Sequence, residues 1–191
     1  MSTVFIPLLL GTAREGRESE KVARFVYEIV QERPDIETEF IDVRDYRLTA
    51  TIPSWVDTEE ALRWRDTMRR ADGLIIVSPE YNHGYPGELK LVLDQAYPEY
   101  NRKPLGICAV SSGMVGGARM TQVLRIAAIE LQMVPVRNSV FFRQVKDLFD
   151  ESGAIQDPSY NEHVTTMLDE LVWYANALKS AREGKTAAEK P

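Results

Sequence analysis

One cysteine, Cys108, and two histidines, His83 and His163, are all the cysteine and imidazole side chains in this 191-residue chain. A lone thiol allows neither an internal disulfide framework nor a thiolate cluster, and neither histidine has a cysteine or carboxylate at ligand spacing, so no metal site is expected. Cys108 falls inside the apolar run 105–110 and reads as a packing residue in a reducing compartment. Long hydrophobic runs are missing too. The apolar stretch near the start covers only Val4 to Leu10, has no basic leader and runs into Gly11-Thr12, which reads against a signal peptide. Nowhere does the chain approach the roughly 20 apolar residues that a bilayer span requires. Positive charge is in deficit, with 23 Lys and Arg against 29 Asp and Glu and a formal net charge of −6. That balance argues against a broad cationic face for nucleic acid. The expectation is a cytoplasmic protein with neither a nucleic-acid nor a membrane partner.

Hydrophobic residues at 44% and charged residues at 27% are close to globular averages, which disfavours disorder and low-complexity scaffolds. The length suits one compact domain, placed at 1–181. Residues 182–191 have no periodicity and read as a frayed tail. Within the domain, apolar runs alternate with amphipathic ones. Strands are expected at Val4–Leu10, Ile36–Val43, Leu74–Val77, Leu105–Val110 and Val134–Phe142, and most read as buried on both faces. Pro7 cannot donate to a ladder and should interrupt the first strand. Helices are expected at Ser19–Gln31, Glu59–Ala71, Glu88–Tyr97, Gly117–Leu131 and Tyr160–Leu178, the fourth with the face Met120, Val123, Leu124, Ala127, Ala128 and Leu131. Such alternation specifies an α/β three-layer sandwich on a five-stranded parallel sheet with right-handed crossovers. The dinucleotide fold and the flavodoxin-like fold both fit this count, and both place ligands at the carboxyl ends of the strands.

Three loops at such ends carry ligand chemistry. The first, Gly11 to Ser19, joins a buried strand to a helix start and offers two glycines, two hydroxyls, two guanidiniums and free amides, which suits a phosphate monoester. It is not a Walker A loop, because Arg17 and Glu18 stand where Lys and Ser or Thr would follow Gly16, and no GxGxxG is present. The plainer reading is a capped strand-to-helix loop with Ser19 as N-cap. The second loop, Ser78 to Gly87, combines aromatics, prolines and glycines. It suits a flat heteroaromatic ring stacked on Tyr81 or Tyr85, with Asn82 or backbone amides bonding its heteroatoms. The third, Ser111 to Gly117, is made of small residues that let a backbone approach a planar ligand closely.

Taken together, Gly11-Thr12-x-Arg14, the run Pro79-Glu80-Tyr81-Asn82-His83-Gly84 with Pro86-Gly87-Glu88-Leu89-Lys90, and Ser112-Gly113-x-x-Gly116-Gly117 resemble the NAD(P)H-dependent FMN reductases of flavodoxin-like fold. The resemblance runs from about Val4 to Phe142, and the Pro-Glu-Tyr-Asn stretch is its most specific part. It implies strand order 2-1-3-4-5 and an FMN whose phosphate lies in the loop of Thr12, Arg14, Arg17, Glu18 and Ser19. It further implies an isoalloxazine against Pro79, Glu80, Tyr81 and Asn82 on one side and Ser111, Ser112, Gly113 and Gly116 on the other. The chain departs from many members after Gly16, and Glu18 is expected to turn its carboxylate outward and offer only its amide.

The chemistry implied by the resemblance is hydride transfer from NADPH or NADH to the flavin, then reduction of a small-molecule acceptor such as a quinone or free flavin. The cofactor carries that reaction, so no catalytic side chain is assigned. A partner subunit is expected, because Leu91, Tyr97 and Tyr100 point away from the stripe Leu89, Val92, Leu93 and Ala96, and the resemblance implies a homodimer or tetramer. Trp55 and Trp64 read as packing residues. A flavodoxin-type electron carrier with FMN but no nicotinamide chemistry is the rival reading, disfavoured by Arg14, Arg17 and the modest negative charge.

Overall fold

The computed structural model describes residues 3–46 and 50–184. The first expected strand is divided at Pro7 into β1 (Val4–Phe5) and β2 (Leu8–Leu10). Bonds toward the second strand continue across the break, from Ile6 N to Glu37 O and from Leu8 N to Glu39 O, each at 2.9 Å. The Pro7 carbonyl still accepts from Ile75 N at 3.0 Å, so only the missing donor is lost to the ladder. The second strand divides in the same place, into β3 (Ile36–Glu37) and β4 (Phe40–Asp42), where the Thr38 hydroxyl donates to Ile6 O at 2.9 Å.

β5 (Leu74–Pro79) and β6 (Pro104–Val110) form the unbroken centre of the sheet. The fifth strand, expected to be continuous, is instead β7 (Val134–Pro135) and β8 (Val140–Phe142). Between them the amides of Arg137 and Asn138 leave the sheet to bond the Glu170 carboxylate at 3.0 and 2.9 Å. All these pairings are parallel, and the order β4-β2-β5-β6-β7, with β8 beside β6, is the expected 2-1-3-4-5.

Strand side chains alternate between two cores, as the two-residue period of a pleated strand requires. Leu8, Leu10, Ile75, Val77, Cys108 and Val110 meet α1 (Ser19–Gln31) and α5 (Ser159–Arg182) on one face. Leu9, Leu74, Ile76, Leu105, Ile107 and Ala109 meet α2 (Glu59–Arg70), α3 (Gly87–Leu93) and α4 (Ala118–Glu130) on the other. Cys108 is fully buried, and burial pushes its thiol well above the ordinary value.

Several local expectations are corrected. On α4 the buried positions are Met120, Thr121, Leu124 and Ala128, whereas Val123, Ile126 and Ile129 face outward. Thr121 tolerates burial because its hydroxyl donates to Gly117 O at 3.0 Å. Tyr100 does not project outward. The 3-10 turn Pro98–Tyr100 folds it into the core, where its hydroxyl accepts from Trp64 Nε1 at 2.6 Å and donates to Leu93 O at 2.9 Å. Trp64 is buried with it, but Trp55 is 81% exposed and packs little. Arg182, assigned to the tail, ends α5 in an ion pair with Asp72 at 3.0 Å, while 185–191 lie outside the described residues. No helix among the described residues is long and apolar enough to cross a membrane.

Candidate functional site

Three parallel strands end side by side, so the loops leaving β2, β5 and β6 meet at one edge of the sheet. The first begins with Gly11, whose amide bonds Val77 O at 2.8 Å. A Cβ at Gly11 would lie 3.1 Å from Leu89 and 3.3 Å from the Val77 carbonyl, so this position holds the loop close to β5 and α3. Thr12 is fully buried, and its hydroxyl is the hub of the loop. It lies 3.3 Å from the Tyr81 hydroxyl, 3.3 Å from Glu88 Oε1 and 3.3 Å from the Arg14 amide. Arg14 is exposed, and its guanidinium carbon stands 5.7 Å from the centre of the Tyr81 ring.

Arg17 does something other than what its place in the loop suggested. Its side chain is buried, bonded to both carboxylate oxygens of Asp42, to Glu20 and to the Thr12 carbonyl. Burial alone would lower its affinity for the proton, but Asp42 and Glu20 outweigh that and raise its pKa further. Asp42 shows the mirror image. Burial opposes its charge, yet the hydrogen bonds from Arg17 and the Arg44 amide hold its carboxyl below the usual range. The Arg17 guanidinium is therefore committed to the scaffold, holding the loop onto β4 rather than offering donors to a ligand.

Glu18 lies 3.0 Å from Lys21 in an ion pair, yet its Oε2 is buried without a hydrogen-bond partner, so the carboxylate does not turn out to solvent as expected. Ser19 is not the N-cap. It is the first residue of α1 after Glu18, and its hydroxyl is buried without a hydrogen-bond partner. The backbone amides from Glu15 to Ser19 have no carbonyl partner among the described residues. A buried orphan hydroxyl beside a row of unpaired amides at a helix start matches the donor set that a phosphate oxygen takes.

The second loop is stiffened by a turn. Tyr81 and Gly84 exchange both backbone hydrogen bonds, at 2.9 and 3.0 Å, and the two residues between them, Asn82 and His83, have φ of 50° and 66°. Positive φ at both central positions is the type I′ arrangement, which asparagine tolerates well. Asn82 and His83 are exposed, Tyr81 and Glu80 are half-buried, and Pro79 closes β5. Glu80 ties this loop to the third. Its amide donates to Val110 O at 3.0 Å, and its Oε2 accepts from the Arg119 and Met120 amides at 3.1 and 3.0 Å. Its carboxylate is thereby consumed in capping α4.

In the third loop, Ser111 Oγ accepts from the Gly113 amide at 3.0 Å, and Ser112, Gly113, Met114 and Val115 are exposed. Gly116 and Gly117 turn the chain into α4 with φ of 67° and 85°. A Cβ at Gly117 would sit 2.9 Å from the Ala109 Cβ and 3.3 Å from the Val110 amide nitrogen, so this approach to β6 demands glycine. A cavity of about 660 Å³ is lined by Met114, Phe141, Arg143, Tyr160 and His163.

Sequence reasoning missed three residues that shape the site. Arg44 clamps the first loop from behind, its guanidinium donating to Ala13 O at 3.2 Å and Arg14 O at 2.8 Å. Asp42 anchors Arg17. Glu88, from the first turn of α3, enters the first loop and accepts from the Ala13 amide at 3.0 Å. An acid in a first helical turn ordinarily reads as a partner for the helix dipole, so nothing in its spacing announced this contact.

The fold and the linked loops define a doubly wound α/β protein whose strand-end loops are tied together through Glu80 and Glu88. Residues 5–147 match the model of the NADPH-dependent FMN reductase family, and the chain belongs to that family. A quinone reductase of Escherichia coli (strain K12) is 31% identical over 174 residues, covering 84% of this chain and 89% of the relative. A quinone reductase of Pseudomonas putida is 28% identical over 165 residues, covering 82% and 88%. Among solved structures, FerB, a flavoenzyme NAD(P)H:(acceptor) oxidoreductase from Paracoccus denitrificans, superposes with a TM-score of 0.75 at 19% identity, covering 92% of this chain and 98% of its own. That likeness shows the flavodoxin-like fold.

Proposed function

We propose that this chain is an NAD(P)H-dependent FMN reductase that passes reducing equivalents from a nicotinamide to a quinone-type or free-flavin acceptor. The observation that carries this reading is the unpartnered, buried Ser19 hydroxyl among the unpaired amides of Glu15 to Ser19. Thr12, Arg14 and Ser19 would hold the FMN phosphate with those amides, while Arg17 positions the loop through Asp42. Pro79 to Asn82 and Ser111 to Gly113 would flank the isoalloxazine, with Gly116 shaping the third loop behind them. Bound FMN supplies the capacity to accept hydride and to release electrons. The protein's part is to orient the ring, limit water on one side and stabilise negative charge through backbone amides near Asn82 and Gly113.

Cytoplasmic residence is supported by the single buried thiol. A homodimer is supported by the outward apolar side chains of Val123, Ile126 and Ile129, spaced three residues apart on α4, together with the half-exposed Tyr97.

The test is the visible spectrum of the purified protein loaded with FMN and freed of unbound flavin, followed under anaerobic conditions as NADPH and then NADH are added. Bleaching by either nicotinamide, with colour restored by a quinone, is the expected result. A bound flavin that neither nicotinamide reduces would make the chain an electron carrier instead. Light scattering during size exclusion, returning twice the chain mass, checks the dimer.

A further inference from the structure

The cradle in the first loop already contains an anion. Glu88 Oε1 accepts from the Ala13 amide at 3.0 Å and from the Thr12 hydroxyl at 3.3 Å. A charged oxygen shared by one loop amide and one hydroxyl takes the place and the bonds of a phosphate oxygen. Among the described residues no cation pairs with Glu88. Arg17 is engaged by Asp42 and Glu20, Arg44 by two carbonyls, and Lys90 by Asp94. Arg14 lies over the Tyr81 ring instead. At the opposite end of the loop the Ser19 hydroxyl is buried and unpartnered, while the carboxylate of the preceding Glu18 is drawn to Lys21 at 3.0 Å. Donors at one end are free, and donors at the other are held by a carboxylate from another element.

We propose that Glu88 is a resident competitor for the ligand's phosphate and sets the protein's discrimination between FMN and its dephosphorylated form, riboflavin. The proposal rests on the FMN-binding reading above and deepens it. A phosphate seated at Ser19 and the amides of Glu15 to Ser19 enters the same loop as the Glu88 carboxylate, and must displace it from Ala13 and Thr12 or bind beside a like charge. Riboflavin brings no charge and leaves Glu88 in place. The result is an FMN held loosely enough to exchange, so that FMN acts as a substrate as much as a resident group. If Glu88 were only a tether joining α3 to the loop, its removal would loosen the cradle for both flavins alike.

These two roles separate in a fluorescence-quenching titration of the full chain with FMN and with riboflavin, comparing wild type, Glu88→Gln and Glu88→Ala after circular dichroism confirms the fold. Removing one like charge from the same loop is expected to tighten FMN by about tenfold or more, with riboflavin changed by less than about twofold. FMN affinity that is unchanged or weaker in folded variants, or equal shifts for both flavins, would overturn the proposal. Should both variants fail to fold, Glu88→Asp withdraws the carboxylate from Ala13 by one methylene while keeping its charge, and FMN must still tighten relative to riboflavin. A wild-type protein that binds neither flavin would remove the FMN reading itself, a result separate from any effect of the variants.

Discussion

Glu80, one residue beyond the end of β5, reaches across to Met120 in the first turn of α4 and accepts its amide hydrogen at 3.0 Å, with the Arg119 amide at 3.1 Å on the same oxygen. A carboxylate at that point satisfies orphan helix donors and opposes the positive end of the helix dipole. It also locks the second loop to the third. Glu80→Ala is expected to cost about 1–2 kcal/mol in stability, as loss of a helix cap does. It should also weaken flavin binding, because the second and third loops, proposed to flank the ring, lose their tie. Urea melts and flavin titrations of the same variant check both effects.

Ser19→Ala separates a ligand contact from a packing role. Its hydroxyl is buried without a partner, so deleting it relieves an unsatisfied polar atom and should leave the ligand-free protein equally or more stable, by up to about 1 kcal/mol. FMN affinity should fall in the same variant while riboflavin affinity holds. A loss of stability with unchanged FMN binding would count against the phosphate cradle.

Asp42 and Arg17 make an acid-sensitive anchor. The Asp42 carboxyl is held below its unfolded value, which lies near about 3.9. The folded chain therefore binds fewer protons than the unfolded one between the two values. The resulting stability is fully present above the unfolded value and lost as pH falls through the folded one. Asp42→Asn should leave the buried guanidinium under-compensated, costing about 3 kcal/mol at neutral pH. It should also flatten the dependence of stability on pH in the acid limb. Denaturant melts from pH 7 down to the acid transition measure both.

Gly117→Ala meets two obstacles together, a φ of 85° and a Cβ contact of 2.9 Å with Ala109. The helix start must move away from β6 to relieve them. A loss of about 2–4 kcal/mol is expected from the combined backbone strain and overpacking, read as a lowered melting temperature.

His83→Gly should be nearly silent in binding and stabilising by up to about 1 kcal/mol, because glycine accepts the positive φ that histidine adopts at this turn with strain. A large loss of flavin affinity on this change would give the imidazole a role that its exposed position does not suggest.

Much of the fold could be read from the chain alone. Apolar runs at Leu74–Val77 and Leu105–Val110 became the unbroken central strands, because a strand buried on both faces leaves a continuous hydrophobic signature. The Pro7 break was legible for the same reason of backbone chemistry. The break after Pro135 was not, since it depends on Glu170, a helix residue more than thirty positions away. On α4, composition alone did not select which apolar positions turn inward. Thr121 went in and Ile126 stayed out, because packing against β6 and β7 chose the face.

By itself the sequence determined the order of elements, the position of the three loops and the chemical character of each, since these follow from local periodicity, glycine, proline and hydroxyl placement. Only the tertiary structure decided where charge comes to rest. Arg17 was drawn to Asp42, Glu80 to the start of α4, and Glu88 to Ala13, each across a separation in sequence that no spacing rule reaches. Charged side chains are long and find their partners across element boundaries, so their roles are settled by which surfaces the packed core brings face to face.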